Sequence, residues 1–203
     1  MAPMPLSNLL DPQYLLETFS YVGLGGIIFA ETGLLLGFFL PGDSLLITAG
    51  LFAANGNLNL GALLVISVVA AFLGNTSGYL IGQKFGPMVF SRVRFLKPEY
   101  VVQAREYFAQ HGNQTLILSR FIPIIRTIVP TLAGTVNLDF RLFTLYNAIG
   151  AVLWGGGVTI AGFLLGKVIP KAVLDKYILL IIGLVLVASF VPVLLEVLKR
   201  RRR

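Results

Sequence analysis

The sequence predicts an all-α integral membrane protein in which spanning helices accompany two re-entrant helix hairpins. Of its 203 residues, 56% are hydrophobic and only 12% are charged, whereas soluble domains carry about 25% charged residues. Apolar stretches recur along the chain, and a helix needs roughly 20 residues to cross the hydrocarbon core. Two of these stretches are broken by proline beside charged residues, which predicts helices that turn back inside the membrane.

The predicted layout is a single membrane domain over residues 1–203. Its segments are an N-terminal helix (1–30), a first hairpin (31–59), a span (60–82), a cytoplasmic amphipathic segment (83–112), a second hairpin (113–136), two more spans (140–166 and 177–198) and a basic tail (199–203). The hairpins are predicted to open toward opposite leaflets, as in secondary transporters built from inverted repeats. The repeat is inferred from this layout and not from an alignment of the two halves.

The net charge of +7 comes from basic residues that cluster in the polar segment 83–112 and in the tail 199–203. This clustering is typical of cytoplasmic loops under the positive-inside rule and argues against a nucleic-acid recognition face. It predicts a multi-pass protein with both termini in the cytoplasm. Contact of the basic segments with anionic membrane lipids is a further expectation.

Residue types common in catalytic and metal sites are scarce. The chain has no cysteine and a single histidine, His111, in the polar segment. A metal-dependent transferase would also need a denser acidic cluster than Glu31 and Asp43 supply. The sequence therefore predicts no metal, no cofactor and no enzymatic activity.

Charged residues and helix breakers coincide in both predicted hairpins. The breakers are Pro41, Gly42, Pro123 and Pro130, and the charged residues beside them are Glu31, Asp43, Arg120 and Arg126. A Pro-Gly break frees backbone groups that lipid cannot satisfy, and a charged side chain at this depth is costly. Both segments are therefore predicted to face protein or water.

The four charged residues are predicted to share one neutral polar cavity, because intramembrane ionisable groups usually pair. An alternative is that Glu31, at a hairpin mouth, reaches the headgroups by snorkelling. A guanidinium donates two parallel hydrogen bonds to a phosphate, and a nearby carboxylate repels that phosphate unless it is protonated. The pattern predicts Arg120 and Arg126 as substrate-binding residues and Glu31 and Asp43 as proton-coupling residues.

Other residues in the apolar stretches receive structural interpretations. Asn75, Ser77 and Tyr79 are predicted to bridge helices, and Trp154 and Tyr146 are predicted to pack in the core or lie at the membrane interface. Gly50 and Gly134 suit either turns or close helix contacts.

Three segments resemble the hallmarks of one bacterial membrane family. SRFIPIIRTIVPTLAG at Ser119–Gly134 has arginine, proline, arginine, proline and Ala-Gly in the family's order, ETGLLLGFFLPGDSLLITAGLFA at Glu31–Ala53 has an acid upstream of a Pro-Gly-acid turn, and GYLIGQKFG at Gly78–Gly86 resembles a third block. Over about residues 20–165 the chain is similar to the DedA family, also called the SNARE-associated or VTT-domain family.

The resemblance implies two re-entrant hairpins, essential roles for Glu31, Asp43, Arg120 and Arg126, and a bacterial inner-membrane location. It also implies recycling of undecaprenyl phosphate, or transbilayer movement of a phospholipid, with dependence on the proton motive force. One departure is Asn75, which occupies a position where many relatives carry an acid. Any coupling role of that position is therefore in doubt here.

The predicted function is a transporter or flippase whose partners are a phosphate-bearing lipid, membrane lipids and protons. A membrane scaffold or envelope-integrity factor is the first alternative. A lipid-phosphate enzyme is a weaker alternative, because membrane lipid phosphatases use histidines as nucleophile and general acid. The sequence leaves open whether the chain forms a homo-oligomer.

Overall fold

A computed structural model of the chain describes residues 12–34, 40–92, 114–121 and 123–169. Every regular element in these ranges is a helix, which confirms the all-α class. The predicted last span (177–198), the basic tail (199–203) and the predicted surface segment beyond Arg92 lie outside the described residues.

The described helices follow the predicted segments in order. They are α1 (Pro12–Gly33), α2 (Gly42–Ala54), α3 (Leu60–Arg92), α4 (Thr115–Leu118) with a 3₁₀ turn (Ser119–Phe121), α5 (Pro123–Thr135), α6 (Phe140–Ala151), a π-helical turn (Val152–Gly156) and α7 (Gly157–Val168). Helix α3 runs on to Arg92, beyond the predicted end of its span at residue 82.

Among the described residues, two helical stretches are long and apolar enough to cross a membrane, Leu60–Gly86 and Phe140–Val168. Each begins at a side-chain cap, which satisfies an otherwise unpaired backbone donor. The Asn59 Oδ1 accepts from the Ala62 N–H (3.0 Å), and the Asp139 Oδ1 accepts from the Leu142 N–H (2.8 Å). These stretches overlap the predicted spans 60–82 and 140–166.

The outer face of α3 is apolar. Val65, Val69, Leu73 and Leu80 recur at helical spacing and remain 47–63% exposed. A long stripe of exposed large hydrophobic side chains suits contact with lipid better than contact with water.

Helix α5 crosses α3 at a pair of glycines. A Cβ on Gly134 would clash with the Tyr79 carbonyl and lie 2.8 Å from the Gln83 nitrogen, and a Cβ on Gly82 would clash with the Thr131 carbonyl. Glycine is therefore needed on both sides, as in other close contacts between membrane helices.

Helix α2 crosses α7 at a second glycine pair with the same pattern of contacts. A Cβ on Gly50 would clash with the Thr159 carbonyl and lie 2.7 Å from the Phe163 nitrogen, and a Cβ on Gly162 would clash with the Ile47 carbonyl. In the first crossing Gly134 faces the residues three before and one after Gly82, and in the second Gly50 faces the residues three before and one after Gly162. Gly50 and Gly134 thus serve close helix contacts and not turns.

Candidate functional site

Two acidic residues lie on either side of the break between α1 and α2. Glu31 is in the last turn of α1 and is 1% exposed, while Asp43 is in the first turn of α2. Pro41 precedes α2, and a Cβ on Gly42 would overlap the Glu31 carboxylate. Only glycine at position 42 lets that carboxylate lie against the start of α2, where the helix dipole favours negative charge.

Arg126 of α5 bridges these two acids. Its Nη1 donates to both oxygens of Asp43 (2.8 and 3.0 Å), and its Nη2 donates to Glu31 Oε1. Arg126 is 4% exposed, whereas the side chain of Asp43 is 38% exposed. Asp43 is therefore the member of this trio that opens to the surroundings, and Glu31 is buried in an ion pair instead of reaching toward the headgroups.

Prolines shape the helix that carries Arg126. Pro123 is the first residue of α5, where its missing N–H costs no helical hydrogen bond. Pro130 lies inside α5, and the N–H it lacks would have paired with the carbonyl of Arg126 four residues earlier. The helix is weakened at the residue that joins the two acids.

Trp154 contacts two members of the trio, although the sequence interpretation assigned it only packing or an interface position. Its indole N–H donates to Asp43 Oδ1 (2.8 Å), and the Arg126 guanidinium carbon lies 4.6 Å from the centre of its ring. A cation over an aromatic face is attracted by the ring quadrupole. Trp154 is 2% exposed and lies in the π-helical turn Val152–Gly156, and such turns are frequent at functional sites.

Arg120 lies in the 3₁₀ turn after α4 and is 2% exposed. Its Nη2 donates to the Asn147 side-chain oxygen. The amide of Asn147 is fixed in turn, since its Nδ2 donates to the Phe72 carbonyl (3.0 Å) and to Thr76 Oγ1 (3.1 Å). Asn147 therefore holds Arg120 against α3 with a neutral group.

Asn75 provides a second neutral contact. With its amide turned so that the oxygen faces Arg120, it accepts from Arg120 Nη2 (2.8 Å) and donates to the Thr32 carbonyl (3.0 Å). Asn75 thereby bridges α3 to α1 as predicted from the sequence, and it also contacts a candidate site residue. Tyr79 likewise links α3 to the α5–α6 connection by donating to the Leu138 carbonyl. The prediction for Ser77 was wrong, because its hydroxyl donates to the Leu73 carbonyl of the same helix.

The guanidinium of Arg120 keeps unused donors. Within the described residues, its Nε and Nη1 have no hydrogen-bond partner, and no carboxylate forms an ion pair with it. A buried donor without a partner costs about 1–3 kcal/mol, and more when it is charged. Arg120 is therefore poised to receive an acceptor.

Three of the four charged residues that the sequence singled out are in direct contact, namely Glu31, Asp43 and Arg126. Arg120 has its own contacts with Asn147 and Asn75, and Asn75 also donates to the carbonyl of Thr32, the residue after Glu31. Asn147 was missed as a site residue, although an asparagine inside an apolar span is a usable signal. Within the described part of the chain, no group of three histidine or acidic side chains could hold a metal ion.

The site lies in a region that matches known proteins. The VTT domain family model matches residues 40–164. An uncharacterized membrane protein of Mycobacterium leprae is 42% identical over 172 residues, covering 83% of this chain and 75% of the relative. Protein DedA of Escherichia coli K12 is 38% identical over 180 residues (87% and 81%), and the E. coli K12 inner membrane protein YqjA is 36% identical over 149 residues (72% and 68%). No solved structure matches the chain.

Proposed function

We propose, from the premise that this chain belongs to the DedA family of VTT-domain membrane proteins, that it moves a phosphate-bearing lipid across the bacterial inner membrane. The substrate is undecaprenyl phosphate or a phospholipid, and the movement draws on the proton gradient. The observation that carries the proposal is the group formed by buried Arg120, Arg126 and Glu31 and partly exposed Asp43, in which Arg120 retains unused donors. Intramembrane ionisable groups of this kind usually mark a transport pathway.

The charge balance of the cluster supports coupling to protons. With all groups ionised, Arg126 and its two acids carry one net negative charge, and Arg120 compensates it. A phosphate monoester brings about one to two further negative charges, which would leave a buried excess of anion. Protonation of Glu31 or Asp43 removes that excess, so we propose that lipid binding and proton uptake accompany each other.

The matched glycine crossings support an inverted repeat with two re-entrant hairpins. Helix α2 of the first half packs on α7 of the second half, and α5 of the second half packs on α3 of the first, with equivalent backbone contacts. In addition, Gly82 and Gly162 lie the same number of residues after Leu60 and Phe140, the first residues of the two stretches long enough to cross a membrane. Packing of a helix from each half on the other half is expected where two related halves surround a central substrate site.

The scaffold alternative leaves the cluster without a role. A scaffold gains nothing from burying two arginines and Glu31 in a membrane domain, and such residues are costly there. The enzyme alternative meets a shortage of catalytic groups, since the chain has one histidine and Arg126 engages both acids.

Purified protein in liposomes separates the three functions. Labelled undecaprenyl phosphate or labelled phospholipid is placed in one leaflet, and both its leaflet and its mass are followed with and without a proton gradient. We expect a change of leaflet that is lost in Arg126→Ala and kept in Arg141→Ala, because Arg141 is exposed at the start of α6. A change of mass would indicate an enzyme, and no change of leaflet or mass would indicate a scaffold.

A further inference from the structure

The two arginines of the site have different environments. Both terminal nitrogens of Arg126 face carboxylates, so its charge is already balanced by Glu31 and Asp43. Arg120 contacts only the neutral amides of Asn147 and Asn75. Arg126 is therefore paired directly with two carboxylates, whereas no carboxylate contacts Arg120 among the described residues.

The two amides orient Arg120 without neutralising it. Both accept from the same nitrogen, Nη2, and each is anchored on its other side by donation to α1 or α3. Nε carries one N–H and Nη1 carries two, and these donors remain available. A carboxylate in place of either amide would form an ion pair with Arg120, whereas the neutral amides leave the charge of Arg120 available to a ligand.

The backbone of α6 also fixes the position of Arg120. A Cβ on Gly150 would lie 2.6 Å from Arg120 Cδ and 2.7 Å from its Nε, so the arginine rests directly on the backbone of α6. The position of the guanidinium is thus fixed by Asn75, Asn147 and Gly150 before any ligand arrives. Such preorganisation lowers the entropic cost of binding.

We infer that Arg120, framed by Asn75, Asn147 and Gly150, is the subsite for the phosphate group, while Arg126 remains in its ion-pair trio and responds to protons. This deepens the proposed function and rests on it. Phosphate oxygens are suited to the subsite because they accept charge-assisted hydrogen bonds from several N–H donors at once. The oxygens come from a lipid headgroup or from free phosphate.

The decisive variant is Asn147→Asp in the full-length protein. The new carboxylate would lie beside Arg120 and compensate its charge, as Glu31 and Asp43 do for Arg126. We expect the affinity for undecaprenyl phosphate, measured by native mass spectrometry of protein in detergent, to fall about tenfold or more. The matched control is Asn57→Asp, which adds the same charge at an exposed position before α3 and should leave the affinity unchanged.

A second variant, Arg120→Lys, keeps the charge but loses the planar set of donors, and we expect a comparable loss of affinity. A thermal melt of each variant checks folding, and either folded variant suffices for the test. Inorganic phosphate is the second probe: Arg120-dependent competition with the lipid identifies the free ion as a ligand, and Arg120-dependent lipid binding without competition identifies the headgroup.

The outcomes separate the two proposals. If wild-type protein binds neither probe, the proposed function and the subsite both fail. If wild-type protein binds lipid and the folded Asn147→Asp and Arg120→Lys variants bind it equally well, the subsite is wrong while the proposed function stands.

Discussion

Trp154 and Arg126 donate to the same oxygen of Asp43, each over 2.8 Å. The indole therefore fixes the carboxylate that faces the surroundings, and its ring covers the guanidinium that pairs with it. Because Trp154 contacts both charged groups, it can keep Asp43 and Arg126 paired until a proton or a ligand arrives.

Replacement of Trp154 by phenylalanine should separate these two contacts. The aromatic face over Arg126 is retained while the hydrogen bond to the partly exposed Asp43 is lost, which costs about 1 kcal/mol. We expect transport in liposomes to slow about fivefold, and Trp154→Ala to slow it further because the cation–π contact is lost as well. Tyr146→Phe on the neighbouring helix is the control. Equal transport by wild type and Trp154→Phe would show that the indole only fills space.

Lysine at position 126 should impair transport almost as much as alanine. A single ammonium cannot span Glu31 and Asp43 in the fixed geometry of a guanidinium, so one acid would remain buried without its partner. Rescue of a strain lacking the protein measures the effect, with Arg141→Lys as the matched surface control. Wild-type growth with Arg126→Lys would rule out the bridging role.

Lipid binding should tighten as pH falls from about 8 toward 6. Binding of a phosphate adds negative charge to a neutral site, so it takes up a proton, and by linkage a higher proton concentration favours binding. The gain should fade near pH 6, where the phosphate itself gains a proton at its second pKa of roughly 6. Affinity measured against pH for wild type, Glu31→Gln and Asp43→Asn tests this.

Asp43→Asn should give the flatter curve, because Asp43 is the acid exposed to incoming protons, and it should uncouple transport from the proton gradient. Superimposed curves for all three proteins would make the carboxylates structural partners of Arg126 and nothing more.

Gly42→Ala should impair transport more than it lowers the stability of the fold. Its Cβ would overlap the Glu31 carboxylate, and a displaced Glu31 loses Arg126. We expect stability to drop by about 1–3 kcal/mol and transport to fall to the level of Glu31→Gln. Gly26→Ala in α1 is the control, since nothing lies within 4 Å of that added Cβ. If melting temperature and transport match wild type, the close approach of Glu31 to α2 is unimportant.

Cysteine labelling should locate the mouths of the hairpins, and the chain contains no cysteine of its own. A second hairpin that enters and leaves on the cytoplasmic side places His111→Cys and Arg141→Cys on one face. Asn57→Cys should label from the other face. Labelling of residues 57 and 111 from the same side would contradict the inverted layout, and labelling of 111 and 141 from opposite sides would contradict the second hairpin.

The sequence predicted the helical class and the four charged residues because hydropathy and isolated charges are local signals. It could not distinguish Arg120 from Arg126, since both lie in similar apolar sequence beside proline. Their difference depends on Asn147 and Glu31, which reach them from distant parts of the chain. Trp154 was interpreted as a packing residue for the same reason. Its contacts with Arg126 and Asp43 join distant segments, and the spacing of residues along the sequence does not reveal them.

Position 154 is the only tryptophan in the chain, so all indole emission arises from the site. Asp43 accepts from the indole N–H and Arg126 lies over the ring face. The emission of an indole is sensitive to charged groups at such short distances. Protonation of the acid, arrival of an anion or opening of the trio would each alter the spectrum of the unlabelled protein. The molecule thus carries its own optical reporter, readable in detergent or in vesicles.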